Sequence, residues 1–115
     1  MEIELWRPPP DRPQYVADFM NSLERKEERD KIMEGLERLK YYGLPPLLRT
    51  KEVKKIEDGL FEIRSRYGKR KFRIMFCCYK ERYWLLSGFV KKTQKTPPKE
   101  IRTAANRMRE LKNKL

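Results

Sequence analysis

The residues of this sequence best equipped for chemistry are its cations, and their spacing gathers them. Arg64 and Arg66 stand two apart in one alternating stretch, and Arg73 falls in the next. Lys91, Lys92 and Lys95 follow the apolar run Leu85 to Val90. Guanidinium groups fork onto phosphate oxygens and stay protonated, while a lysine crowded by other cations gives up its proton more readily. Such groups suit a polyanionic backbone, and residue types alone leave catalysis open. Histidine is absent, which removes imidazole acid–base chemistry and any Ser-His-Asp or Cys-His nucleophile. Proton transfer must therefore use Lys, Arg, Tyr, Asp or Glu.

Lysine and arginine number 29 against 17 acids, a net charge of +12, so nucleic acid is the first partner class to expect. A membrane surface fits less well, because no segment is both amphipathic and rich in exposed aromatics. No run of about 18 apolar residues is present, so a transmembrane helix is not expected. The start Met1-Glu2-Ile3-Glu4-Leu5 lacks the basic and apolar parts of a signal peptide, and the expected location is the cytoplasm. A length of 115 residues fits one domain, residues 1–115, with a single modest core. Cys77 and Cys78 are adjacent in a strand-like run, and neighbours in a strand point to opposite faces. They read as packing residues, not as a disulfide. With no histidine and no further cysteine, neither a metal nor a cofactor is expected.

The elements that must position these cations can be read in order. Ile3-Glu4-Leu5-Trp6 alternates as a short strand, stopped by Arg7-Pro8-Pro9-Pro10. Asp11 to Pro13 offers a helix start, and Val16, Phe19, Met20 and Leu23 share one helical face. A second set, Ile32, Leu36 and Leu39, lies almost opposite at ~100° per residue. One straight helix cannot bury both sets, so the spacing predicts a helical hairpin broken within the Glu24 to Lys31 run. Gly43 closes it, and Pro45-Pro46 stop its continuation. Leu47 to Asp58 reads as a basic loop or irregular edge holding Lys54 and Lys55. Strands follow over Leu60–Tyr67, Lys71–Tyr79 and Tyr83–Val90, the last buried on both faces. Thr96 reads as the N-cap of a helix opened by Pro97-Pro98, with Ile101, Ala104, Ala105, Met108 and Leu111 on its apolar face. The expectation is α+β, in the order β-α-α-β-β-β-α. Arg64, Arg66 and Arg73 share one face of the sheet, and the lysine loop joins them at its end.

Three stretches also carry a resemblance. Gly59-Leu60-Phe61-Glu62-Ile63-Arg64, Phe72-Arg73-Ile74-Met75-Phe76, and Leu86-Ser87-Gly88-Phe89-Val90-Lys91-Lys92-Thr93-Gln94-Lys95-Thr96-Pro97 resemble the phage-derived HigB-type (Gp49-like) branch of the RelE/ParE toxin superfamily. The likeness runs from about Trp6 to the C-terminus. It implies a RelE-like fold: a small antiparallel-rich sheet, an N-terminal helical hairpin, a C-terminal helix, and helices packed on one side. It also implies a type II toxin, an mRNA endoribonuclease commonly acting on the ribosome, with a HigA-like helix-turn-helix antitoxin as partner. On that reading Arg64 and Arg73 hold the phosphate, and Lys91 or Lys92 assists proton transfer, its pKa lowered by neighbouring cations. Arg66, Lys54, Lys55 and Lys95 track the RNA backbone, and Tyr67 stacks on a base. Two alternatives stand beside it: a ParE-like inhibitor of a host protein such as DNA gyrase, and a plain RNA- or DNA-binding module.

Overall fold

The computed structural model describes residues 1–5 and 14–115. The expected prolyl stop after the first strand and the expected start of the first helix, residues 6–13, lie outside the described residues. The chain forms a mixed α+β fold with a five-stranded sheet and four helices.

β1 (Glu2–Leu5) precedes α1 (Tyr15–Ser22), where Asp18 Oδ2 accepts the Gln14 backbone N–H at 2.9 Å. The helix ends at Leu23, whose backbone is extended and whose side chain is buried. α2 then starts at Lys26 and runs to Tyr42. Two apolar stripes on opposite sides of the chain thus become two helices, as the periodicity requires. Gly43, at φ 82°, ends α2 by donating its N–H to Leu39 O at 2.9 Å.

Two elements were not expected. Pro45 and Pro46 do stop α2, but they also open a short helix, α3 (Leu44–Arg49), because first-turn residues need no intrahelical donor. The segment read as a basic loop or irregular edge contains a true edge strand, β2 (Val53–Glu57), irregular between Lys55 and Glu57. β3 (Leu60–Tyr67), β4 (Arg70–Tyr79) and β5 (Arg82–Lys91) follow as an antiparallel meander, and α4 (Pro98–Lys114) closes the chain. The strand order is β1-β5-β4-β3-β2, with β1 parallel to β5. Thr96 is not the N-cap: Pro97 takes that position, and the Thr96 hydroxyl goes elsewhere.

The helices lie on both sides of the sheet, not on one. Ile63, Phe72, Ile74, Phe76 and Leu85 pack with Ile32, Leu36 and Leu39 of α2 and Leu47 of α3. Leu60, Met75, Cys77 and Leu86 form a second core with Ala104 and Leu111 of α4. Both faces carry a core because β3 to β5 are apolar along the α2 face and, over Leu60, Met75, Cys77 and Leu86, on the α4 face as well. Consecutive Leu85 and Leu86 serve opposite cores, and a register shift beside Met75 leaves Leu86 without a cross-strand partner. Arg107 fills that gap by donating to Leu86 O at 2.9 Å, with its guanidinium 3.3 Å from the Tyr15 ring centroid. Cys77 is buried, its thiol pushed up to about 11 by burial, and neighbouring Cys78 is exposed. Both are free, as opposite faces require.

Gly88 is where Phe19 of α1 packs directly onto the β5 backbone. A Cβ there would lie 2.4 Å from Phe19 Cδ2 and 2.9 Å from Ile74 Cδ1. Overpacking of this kind costs about 1–3 kcal/mol. Gly88→Ala is therefore expected to lower the melting temperature by roughly 5–10 °C, and Phe19→Leu in the same chain to restore part of the loss. Calorimetry on the two single variants and the double variant checks this. A Gly88→Ala protein as stable as the parent would show that α1 does not press on β5.

Candidate phosphate-binding site

The site begins where α4 stops covering its face of the sheet. Register places Lys54 opposite Glu62 and Glu62 opposite Met75. One row on, Arg64 stands opposite Arg73 and Arg73 opposite Phe89. In the next row Arg66 stands opposite Lys71 and Lys71 opposite Lys91. Directly opposed residues share a face, so Lys54, Glu62, Arg64, Arg66, Lys71, Arg73, Phe89 and Lys91 all lie on the α4 side. Two neighbouring recesses open there. Arg64, Ser65, Arg66, Lys71 and Arg73 line one, and Lys69, Lys71, Lys91, Lys92, Thr93 and Gln94 line the other.

At the floor sits a carboxylate. Glu62 is fully buried, its Oε1 3.6 Å from Arg64 Nε and 3.7 Å from Arg73 Nε. Its Oε2 accepts the Thr96 hydroxyl at 2.8 Å, which ties the lysine loop to β3. Arg73 is itself buried, and its Nη1 donates to Phe72 O at 2.9 Å. Burial lowers the Arg73 pKa, Glu62 raises it and Arg64 lowers it again. Arginine starts so high that the guanidinium remains charged near neutrality. Lys91 is half-buried, and its pKa is lowered first by burial and then by Arg73, against Glu62, with Arg64 and Lys54 adding to the fall. Desolvation is thus the largest single cause, with the crowding cations named from the sequence adding to it.

The other expected site residues are placed unevenly. Arg66 is exposed at the rim, with Nη2 3.5 Å from Gly68 O. Lys92 is exposed beside Lys91, while Lys95 is exposed further along a loop folded back by a 2.7 Å bond from Thr93 Oγ1 to Lys95 O. Lys54 joins the face. Lys55 points by register to the α2 side, with its ammonium 3.8 Å from Asp58, and borders a recess at the sheet edge with Lys51, Lys54 and Arg64. Tyr67 also lies on the α2 side, packed against that core. Glu62 was not singled out beforehand, although alternation already put it with Arg64 and Arg66. It is the one acid in a basic stretch, and that was the available signal. Phe89, half-buried across from Arg73, is the aromatic nearest the cations by register.

A buried acid flanked by two arginines and a lysine makes an anion cradle on a small α+β domain, the class to which toxin-like proteins of the RelE group belong. A family described as phage derived protein Gp49-like (DUF891) matches residues 18–109. That is most of the chain, which belongs to this toxin-like, phage-derived family of the RelE/toxin-like group. No curated protein matches the chain. Among the described residues, no helix is long and apolar enough to cross a membrane.

Lys91 yields a test through stability. Its charged form is less favourable in the folded chain than in the unfolded chain, whose lysine titrates near 10.5. In the window between the folded value and 10.5 the unfolded chain binds more protons, so stability rises with pH there. Lys91→Gln is expected to melt higher than the parent near neutral pH and to lose that rise. Melting temperatures from pH 7 to about 10.5 check it, and a lower melting temperature with the rise intact would contradict the placement of Lys91.

Proposed function

We propose that the chain is the toxin of a type II toxin–antitoxin pair and acts as an mRNA endoribonuclease on translating ribosomes. The observation that carries this reading is the cross-strand pair Arg64 and Arg73 over the buried Glu62, with Lys91 beside them. Guanidinium groups set in this way suit the nonbridging oxygens of a phosphodiester whose charge grows as it is attacked. The message's own 2′-OH attacks the adjacent phosphorus and forms the 2′-O–P bond. The P–O5′ bond breaks, leaving a 2′,3′-cyclic phosphate and a 5′-hydroxyl. Neutral Lys91, its pKa lowered, accepts the 2′-hydroxyl proton, and the leaving 5′-oxygen takes a proton from the Lys92 ammonium or from water. Lys54, Arg66 and Lys95 track the backbone electrostatically. Lys55 and Tyr67 face the other side of the sheet and add less on this reading.

The chain works as one domain, in the cytoplasm where messages are read. Its proposed partner is a HigA-like helix-turn-helix antitoxin that masks the basic face, and the toxin-like family itself suggests an antitoxin. Glu62 is already engaged by two arginines and Thr96. Among the described residues no three His, Cys, Asp or Glu side chains gather as a metal-binding group. The proposed chemistry draws on the 2′-hydroxyl, which the message itself supplies.

Two tests follow from this mechanism. Cleavage mapped in a translation reaction should give 2′,3′-cyclic or 3′-phosphate ends, and a message with a 2′-deoxy sugar at the scissile position should survive. Ends bearing 5′-phosphate and 3′-hydroxyl would overturn the mechanism, and cleaved DNA–gyrase complexes beside intact message would favour the gyrase-directed alternative. Removing one oxyanion donor costs about 10²–10³ in turnover. Arg73→Ala, with Arg73→Lys as the variant that keeps charge but loses the fork, is expected to lose at least ~100-fold. Lys112→Ala, near the end of α4 and close to Tyr79, should cut as the parent does. Equal, graded losses in Arg73→Ala and Lys112→Ala would favour the plain nucleic-acid-binding module.

A further inference from the structure

Glu62 has no assigned part in the mechanism above, yet it contacts both arginines that do. Its two oxygens divide the work. Oε1 faces Arg64 Nε at 3.6 Å and Arg73 Nε at 3.7 Å, and Oε2 accepts from Thr96 at 2.8 Å. The Nε contacts leave the ends of the two forks clear of the carboxylate. Among the described residues, Oε1 and both Nε atoms have no hydrogen-bond partner, although all three are buried. The two Nε edges are thus held by charge at ion-pair distance and not by closed hydrogen bonds, while Arg73 Nη1 keeps its bond to Phe72 O. Both also line the recess that takes in Arg66 and Lys71.

We propose that Glu62 is a positioning residue: it draws the Nε edges of Arg64 and Arg73 inward so that their remaining donors meet an incoming phosphate. Through Thr96 it also fixes the loop that carries Lys92 and Lys95 against the same floor. A carboxylate in this place makes two opposed guanidiniums compatible with each other while leaving the anion site above them positive. It touches no reacting atom. Its effect passes through the arginines, through Thr96 and through the field at Lys91.

The idea rests on the ribonuclease reading, so one readout has to be independent of RNA. Lys91 is faced by Lys71 and Arg73 from β4, by Glu62 and Arg64 from β3, by Lys54 from β2, and by Lys69 and Lys92 in the shared recess, and among these groups Glu62 is the negative one. Removing that charge must lower the Lys91 pKa further. The parent, Glu62→Gln and Thr96→Val are compared by melting temperature and by kcat and KM for message cleavage. The pH dependence of Lys91 acylation, followed by peptide mass spectrometry with an amine reagent, supplies the third readout. In folded Glu62→Gln, kcat should fall about 100-fold, as a misplacement near 1 Å does. KM should hold, because the tracking lysines remain, and Lys91 should acylate at lower pH. Thr96→Val should lose turnover less severely. A folded Glu62→Gln protein in which either kcat or the Lys91 titration matches the parent overturns the proposal. If Glu62→Gln does not fold, Thr96→Val decides: lost turnover supports the positioning role, and parental turnover overturns it. If the parent cuts no RNA, the ribonuclease reading falls, and the Lys91 titration in Glu62→Gln alone decides the positioning role.

Discussion

Two arginines directly across neighbouring strands repel each other, and the buried Glu62 carboxylate sits 3.6 Å and 3.7 Å from their Nε atoms. Like charges opposed on a sheet destabilise the pair, and the partial burial of Arg73 sharpens the effect. At an effective dielectric of about 20, each contact between Glu62 and an arginine is worth roughly 4–5 kcal/mol. Desolvating an ion costs several kcal/mol, which is the same size. The cluster therefore adds little to net stability. What it fixes is geometry, since any two of the three ions would be worse placed without the third.

The rest of the chain is arranged so that this cluster can stay buried. α2 carries five acids and five bases, with local pairs such as Lys26–Asp30 at 3.5 Å and Lys31–Glu34 at 3.4 Å. It is near neutral, so the excess positive charge lies elsewhere, much of it on the opposite face and in the loops. Gly88 lets Phe19 press onto β5, alternation sends Leu85 and Leu86 into opposite cores, and a register shift follows at Leu86. That shift also sets the phase that brings Phe89 and Lys91 onto the same face as Arg73.

Much of this was legible because alternation along β3 and β4 is clean. Arg64, Arg66 and Arg73 read correctly as one face, and the opposed stripes of Val16 and Ile32 correctly broke the hairpin helices. β2 escaped because its apolar residues, Val53 and Ile56, sit three apart and serve opposite faces, so no period of two appears. α3 escaped because two prolines signal an end as readily as a beginning. Lys55 and Tyr67 were assigned by type, although their parity already put Tyr67 with Phe61 and Ile63 on the apolar side. Thr96 has the residue type of a cap, and only the fold reveals that a buried carboxylate competes for its hydroxyl. Burial of Glu62 depends on which element covers which row, and no local pattern encodes that.

The location of the site follows from how far one helix can reach. Ala104 and Leu111 of α4 pack with Leu60, Met75, Cys77 and Leu86, Phe89 of the Arg64–Arg73 row packs against the same core, and the row beyond it carries Arg66, Lys71 and Lys91. An uncovered apolar face there would be a sticky patch. The chain instead sets cations there, which remain soluble but repel one another. Glu62 lies in the boundary row, beside buried Met75 on one strand and exposed Lys54 on the other. It is covered enough to be desolvated and near enough to the open rows to act on them. One carboxylate cannot neutralise Arg64, Arg73 and Lys91 together, so the resting site keeps an excess of positive charge. On the proposed reading a phosphate over the two guanidiniums supplies the missing negative charge, while the Lys91 pKa is lowered first by its own burial and only then by the neighbouring arginines.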